Sequence, residues 1–128
     1  IPCGIYSMQP AFIAADTVIR MTERIVNLPP VDEKDSVRVQ NFHNAMTRYV
    51  MTKEEHAKLC KKEILILWTD YFKPEHVTLF PNLHEVFWKA AKLCSRVKQE
   101  VSMEVAMQLK VAVEEIAEIF EKTHTAKQ

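Results

Sequence analysis

The sequence predicts an all-α protein, a single domain built as an antiparallel bundle of four to six helices. Apolar side chains recur every three or four residues between Thr52 and His124, which is the period of an amphipathic helix. No glycine interrupts that stretch. The chain has 128 residues, and a chain of about 150 residues buries roughly two-thirds of its unfolded surface. It is therefore long enough to form a core without a disulfide or a metal to stabilise it.

The first helix is predicted to begin at Pro10, after an irregular segment that contains the only glycine, Gly4. Proline suits the first helical position because its missing N–H would have no partner there. The helix must end before Pro29, since a proline disfavours helical geometry in the preceding residue. Its apolar stripe consists of Phe12, Ala15, Val18, Ile19, Met21, Ile25 and Val26.

A second and a third helix are predicted between the proline pair and Phe72. The acidic run at residues 32–35 suits the positive end of a helix dipole, so the second helix starts there. Thr52 and Glu55 have the spacing of a capping box, which predicts a new helix at Thr52, separated from the second by as little as a kink. The run at 64–68 is apolar on all sides, as in a central helix or a buried strand. The capping box and the lack of a partner strand favour the helix.

The remaining chain is predicted to form one short helical turn and then two long helices. Pro74 and Pro81 bracket the turn. One straight helix over residues 82–122 would span about 60 Å, which exceeds the diameter of a compact domain of this size. We therefore predict a break between Gln99 and Met103. Ser102 would cap the last helix.

These elements divide the chain into three predicted parts. They are an irregular segment at residues 1–9, the helical bundle domain at residues 10–123, and a frayed tail at residues 124–128.

Composition and charge argue against several classes of protein. Lysine plus arginine equals aspartate plus glutamate, at 17 each, so no net charge attracts nucleic acid or an anionic membrane surface. No stretch approaches the roughly 20 apolar residues that cross a bilayer. We predict neither a nucleic-acid partner nor a membrane span. The chain starts without methionine or a secretion signal, which suggests one domain of a larger protein.

The three cysteines favour an intracellular protein, cytoplasmic or nuclear. Cys3, Cys60 and Cys94 are odd in number and widely spaced, which makes a poor framework for disulfides or zinc. Cys60 and Cys94 fall on apolar helix faces, where a free thiol behaves as a small buried hydrophobe.

No motif for catalysis or cofactor binding emerges from the residues. His56 and Cys60 are four residues apart and could present two ligands to one metal ion, but two further ligands are missing. A thiol nucleophile needs an accessible, electropositive site, and both helical cysteines are predicted to be inside. We therefore predict no enzymatic activity, no metal and no cofactor.

Apolar residues outside the main stripes predict a contact with a protein partner or a second copy of the chain. Trp88 lies on an otherwise polar face of its helix, so it is either exposed as a binding anchor or, as we favour, covered by the segment at 74–81. The last helix carries a second apolar row, which indicates a central helix or an external contact. The candidate partner-binding residues are Trp88, Met103, Met107 and Val111.

The sequence therefore favours a non-enzymatic helical interaction module, and two alternatives remain open. The first is a carrier of a small hydrophobic ligand, since helical bundles can enclose a cavity. Its lining would include the aromatic residues Trp68, Phe72, Phe80 and Phe87.

The second alternative is a regulatory fragment of a larger enzyme or of a GTPase regulator. The run Leu-Phe-Pro-Asn-Leu at 79–83, ahead of an amphipathic helix, resembles a phrase in the first part of Dbl-homology exchange-factor domains. The resemblance extends from Glu54 to Val101, well under half of the chain, and no residue is carried over from it.

Overall fold

The structure is a computed structural model that describes residues 3–125, except for the side chain of residue 125. It consists of five α-helices, of which the third is a single short turn. The second helix continues directly into a π-helical turn. The bounds are α1 Gln9–Val26, α2 Ser36–Ile66, the π-helical turn Leu67–Tyr71, α3 Pro74–Leu79, α4 Leu83–Gln99 and α5 Met103–Thr125.

The four long helices form an antiparallel bundle, as the sequence predicts. Helix α1 packs on α2 and α5, and α4 packs on the same two helices, so each long helix has two neighbours. The core between them contains Phe87, Ile64, Leu83, Leu109 and Ile116 as its largest fully buried side chains. No strand occurs among residues 3–125.

Several predicted helix ends are confirmed. Pro10 lies in the first turn of α1, and α1 ends three residues before Pro29. Helix α3 is the short turn expected between the two later prolines. The break between α4 and α5 falls at residues 100–102, and the hydroxyl of Ser102 accepts a 3.1 Å hydrogen bond from the backbone N–H of Val105. Most of the predicted tail at 124–128 lies outside the described residues.

The predicted start of a helix at Thr52 is wrong, because α2 runs through it without interruption. The helix is capped at its beginning instead, where the Asp35 carboxylate accepts a 3.1 Å hydrogen bond from the N–H of Arg38. A Thr and a Glu three residues apart also occur inside helices, and neither proline nor glycine stops α2 here. The Thr52 carbonyl lies 2.9 Å from Nδ1 of His56.

No helix in the described part of the chain is both long enough and apolar enough to cross a membrane.

Candidate functional site

The segment that precedes α1 presents a cysteine at the surface. Cys3 is an exposed free thiol in a turn, and Gly4 follows it with a φ of 70°. That left-handed backbone conformation is one that residues with a side chain rarely adopt. Met8 is buried and Tyr6 is half-buried, so the far end of the segment is anchored in the bundle while the thiol remains accessible.

Tyr6 attaches this segment to an aromatic cluster at one end of the bundle. Its ring lies 5.4 Å from the ring of Tyr71, between centroids, and Tyr71 also packs on Phe120 at 4.7 Å. Tyr71 is the last residue of the π-helical turn, a type of irregularity that is frequent at functional sites. The cluster therefore anchors Tyr6, three residues after Cys3, to the bundle.

The Tyr71 hydroxyl is held by a buried hydrogen bond. It lies 3.0 Å from the hydroxyl of Thr123, which itself donates to the backbone oxygen of Phe120 at 2.8 Å. Since the Thr123 proton is used in that bond, Tyr71 is the donor to Thr123. Beside them the His76 ring stacks on Tyr71 at 6.0 Å, and its Nδ1 accepts the N–H of Lys73 at 2.9 Å.

The other two cysteines lie far from solvent. Cys60 and Cys94 are both fully buried, as predicted. His56, four residues before Cys60, is half-buried. No group of three or more histidine, cysteine, aspartate or glutamate side chains that could hold a metal ion occurs within residues 3–124. Cys3 is thus the one thiol among the described residues that an external ion can reach.

The predicted partner-binding residues are mostly exposed. Trp88 is 58% exposed and lies under the ammonium of Lys92, which is 5.3 Å from the ring centroid. Our expectation that residues 74–81 cover this tryptophan is therefore wrong. On α5, Met107 is 48% and Val111 61% exposed, whereas Met103 is half-buried.

Three of the four aromatic residues proposed to line a ligand cavity, Trp68, Phe72 and Phe87, pack on one another. Phe87 is fully buried, with the Trp68 ring stacked on it at 6.0 Å and the Phe72 ring edge-on at 5.5 Å. The indole N–H of Trp68 donates to Nδ1 of His84 at 2.9 Å. A groove of about 530 Å³ opens beside Trp68 and Phe72, but Phe87 does not line it.

Comparison with known proteins decides the family. A family model described as nickel-containing superoxide dismutase matches residues 1–124. The chain belongs to the nickel-containing superoxide dismutase family. Its relatives include the nickel superoxide dismutase of Streptomyces seoulensis, which is 29% identical over 126 residues, 98% of this chain and 87% of the relative.

Solved structures of this family share the fold. The native structure of nickel superoxide dismutase has a TM-score of 0.83 at 28% sequence identity, and the match covers 97% of this chain and 96% of that chain. A crystal structure described as having the nickel ligation of the oxidized state gives the same four values.

The family overturns the functional prediction from sequence. Members of the nickel-containing superoxide dismutase family are enzymes, so the predicted non-enzymatic interaction module, or interaction domain of a larger protein, is wrong. The hydrophobic carrier and the GTPase-regulator fragment are wrong for the same reason. No cofactor and no metal were predicted from the sequence, whereas the family description includes nickel.

Neither Cys3 nor Tyr6 is among the candidate residues predicted from the sequence. Their segment was predicted to be irregular, and Cys3 was counted only as one of three widely spaced cysteines. One local signal was available, because Cys3 stands directly before the only glycine of the chain and outside every predicted apolar stripe. A thiol in that position is neither a core residue nor part of a helix face.

Proposed function

We propose that this chain is a superoxide dismutase that holds nickel partly through the thiolate of Cys3. The reaction converts two superoxide anions and two protons into dioxygen and hydrogen peroxide. Bound nickel supplies the one-electron chemistry that both halves of this reaction require. The observation that carries the proposal is the exposed Cys3 thiol within a chain that a nickel superoxide dismutase family model matches over residues 1–124.

The residues present fit a nickel ion at this position. Thiolate sulfur is a soft donor suited to late transition metals, and the reactive form of cysteine is the thiolate. A Cβ added at Gly4 would meet no heavy atom within 4 Å, so open space surrounds the turn that holds Cys3. Within residues 3–124, no group of three or more histidine, cysteine, aspartate or glutamate side chains could hold a metal ion, so Cys3 is the one ligand that we assign.

The residues around Cys3 position its thiol and leave it accessible to a small anion. Tyr6 packs on Tyr71, which holds the segment against the bundle, and we assign Tyr6 as a positioning residue. The Tyr71 hydroxyl is committed to Thr123 and fixes the orientation of the ring beneath Tyr6. A small anion such as superoxide can reach Cys3 because its side chain is exposed.

The proposal is tested by nickel content and superoxide removal in the full-length protein. We expect Cys3→Ser to lose bound nickel and to remove superoxide at least a hundredfold more slowly. The matched control is Cys94→Ala, which removes a thiol in the core and should retain both properties. Full nickel occupancy in Cys3→Ser would overturn the role of Cys3.

We also propose that the chain self-associates through the exposed apolar residues of α4 and α5. Trp88 and Val111 are each more than half exposed, and Met107 nearly so, so these two helices present large apolar side chains that a partner could cover. A symmetric contact requires only a second copy of this chain. Light scattering on Met107→Glu should give a smaller particle mass than the wild-type protein. An unchanged mass would contradict a role for Met107 in self-association.

The cellular location remains a prediction. All three cysteines are free, which supports the intracellular location expected from the sequence. The relative from Streptomyces is a bacterial protein and lends no support to a nuclear location.

A further inference from the structure

The two buried cysteines face each other across the contact between α2 and α4. The ammonium of Lys61 on α2 donates a 3.1 Å hydrogen bond to the hydroxyl of Ser95 on α4. Cys60 and Cys94 immediately precede these two residues in the chain. The same antiparallel register is marked on either side by the hydrogen-bonded pairs Lys53 with Glu100 and Trp68 with His84.

The surroundings of the two thiols are tightly packed and made of small residues. Cys60 and Cys94 are both 0% exposed, as are the neighbouring core alanines Ala57 and Ala90. The sulfur of Cys60 also lies 3.7 Å from the backbone oxygen of Ala11, so α1 approaches closely as well. Small side chains at a helix contact allow the two backbones, and hence the two sulfur atoms, to come close together.

A hydrogen bond between the two thiols shifts their pKa values in opposite directions. Its effect, together with desolvation, raises the pKa of Cys60 well above its usual range. The same hydrogen bond lowers the pKa of Cys94; desolvation opposes this, and the nearby charges of Lys61 and Lys98 favour it. Since the pKa of Cys94 is lowered and that of Cys60 is raised, we expect the Cys94 sulfur to react first.

We propose that Cys60 and Cys94 form an oxidisable thiol pair, which hydrogen peroxide converts into a disulfide that joins α2 to α4. The Cys94 sulfur attacks one peroxide oxygen, the O–O bond breaks, and water leaves to give a sulfenic acid. The Cys60 sulfur then attacks the Cys94 sulfur, the S–O bond breaks, and the second water leaves. Two thiols lose two electrons and two protons in total, and one peroxide becomes two waters.

Peroxide is a fitting oxidant for this pair. It is close to water in size, so a brief local opening of the contact between α2 and α4 admits it. It is also the product of the proposed superoxide reaction, although the chemistry of the pair does not depend on that activity. Because the pair is buried and Cys3 is exposed, we expect the disulfide to form more slowly than Cys3 is oxidised.

The test uses hydrogen peroxide on the Cys3→Ser variant, in which Cys60 and Cys94 are the thiols that remain in the printed sequence. We expect both thiols to disappear together and the intact mass to fall by two hydrogen atoms. A peptide map should show residues 60 and 94 cross-linked, and dithiothreitol should restore both thiols. The matched control is the Cys3→Ser, Cys94→Ala double variant, which should form no intrachain cross-link.

Three results would overturn the proposal. They are a mass increase from added oxygen without a cross-link, a cross-link only between two chains, and buried thiols that persist when exposure to peroxide is continued many times longer than Cys3 of the wild-type protein needs for full oxidation. None of these measurements depends on the rate of superoxide removal. A chain that forms the cross-link but fails to remove superoxide would refute only the proposed function.

Discussion

The ammonium of Lys53 donates a 2.8 Å hydrogen bond to the backbone oxygen of Glu100, the residue that follows α4. Lys53 is only 2% exposed, which is rare for a lysine. The last carbonyls of a helix have no donor within the helix and carry the negative end of its dipole. Lys53 therefore ties the middle of α2 to the turn between α4 and α5.

Removing this ammonium should destabilise the bundle. We expect Lys53→Met to lower the free energy of unfolding by about 1–3 kcal/mol, because the Glu100 carbonyl loses its donor. Urea denaturation followed by circular dichroism measures the change. Lys58→Met, on the exposed side of the same helix, is the matched control and should stay within about 0.5 kcal/mol of the wild type. Equal losses in both variants would contradict this role.

The same lysine should make stability depend on pH in the alkaline range. Desolvation lowers the pKa of Lys53 below its usual 10.5, and the carboxylates of Glu54 and Glu100 partly oppose this. Between the lowered folded pKa and 10.5 the unfolded chain binds more protons, so stability rises with pH there. The difference in unfolding free energy between wild type and Lys53→Met should therefore shift in favour of wild type across that window. A difference that is constant with pH would contradict the lowered pKa.

The buried hydroxyl pair beneath Tyr6 should also contribute to stability. Tyr71→Phe removes the donor to Thr123 and should lower the unfolding free energy by about 1 kcal/mol. Tyr49→Phe makes the same change at a half-buried position of α2 and should have a smaller effect. A double-mutant cycle with Thr123→Val isolates the pair. If the two single losses simply add, the hydroxyl groups do not interact.

The fold was largely predictable from sequence because helix-period patterning reports burial directly. Val86, Ala90, Cys94 and Val97 recur at helical spacing, and all four are buried in α4. A break before α5 was predicted because one straight helix over residues 82–122 would be longer than the diameter of the domain. Local capping signals were less reliable, since Thr52 and Glu55 matched a cap inside an unbroken helix. Whether such a pair starts a helix depends on what precedes it.

The site was not predictable from sequence because its signal is a single thiol. Cys3 has no nearby histidine or acidic residue that would complete a metal motif in the printed sequence. The contact that anchors its segment joins Tyr6 and Tyr71, which are 65 residues apart in the chain and meet only through tertiary packing. Likewise the short helix α3 lies near Trp68 and leaves Trp88 exposed. The periodicity of apolar residues does not predict which of the two tryptophans a neighbouring segment contacts.

Gly4 should control nickel binding without affecting the bundle. Gly4→Ala places a side chain on a residue whose φ is 70°, where an L-residue is disfavoured by about 1–2 kcal/mol. The added Cβ would meet no atom, so the penalty comes from the backbone alone and shifts the turn that presents Cys3. Since about 1.4 kcal/mol corresponds to a tenfold change in an equilibrium constant, we expect nickel affinity to fall roughly tenfold.

Two measurements on the same samples check this prediction. Competition with a chelator gives the nickel affinity, and thermal unfolding of the metal-free protein gives the stability of the bundle, which should be unchanged because Gly4 and both of its neighbours in the chain are exposed. Ile5→Ala alters the next residue, also exposed, without changing the preferred backbone conformation, and should bind nickel like the wild type. Nickel affinity equal to wild type in Gly4→Ala would show that the left-handed turn does not position the Cys3 thiol, and the ligand role of Cys3 would then need another structural basis.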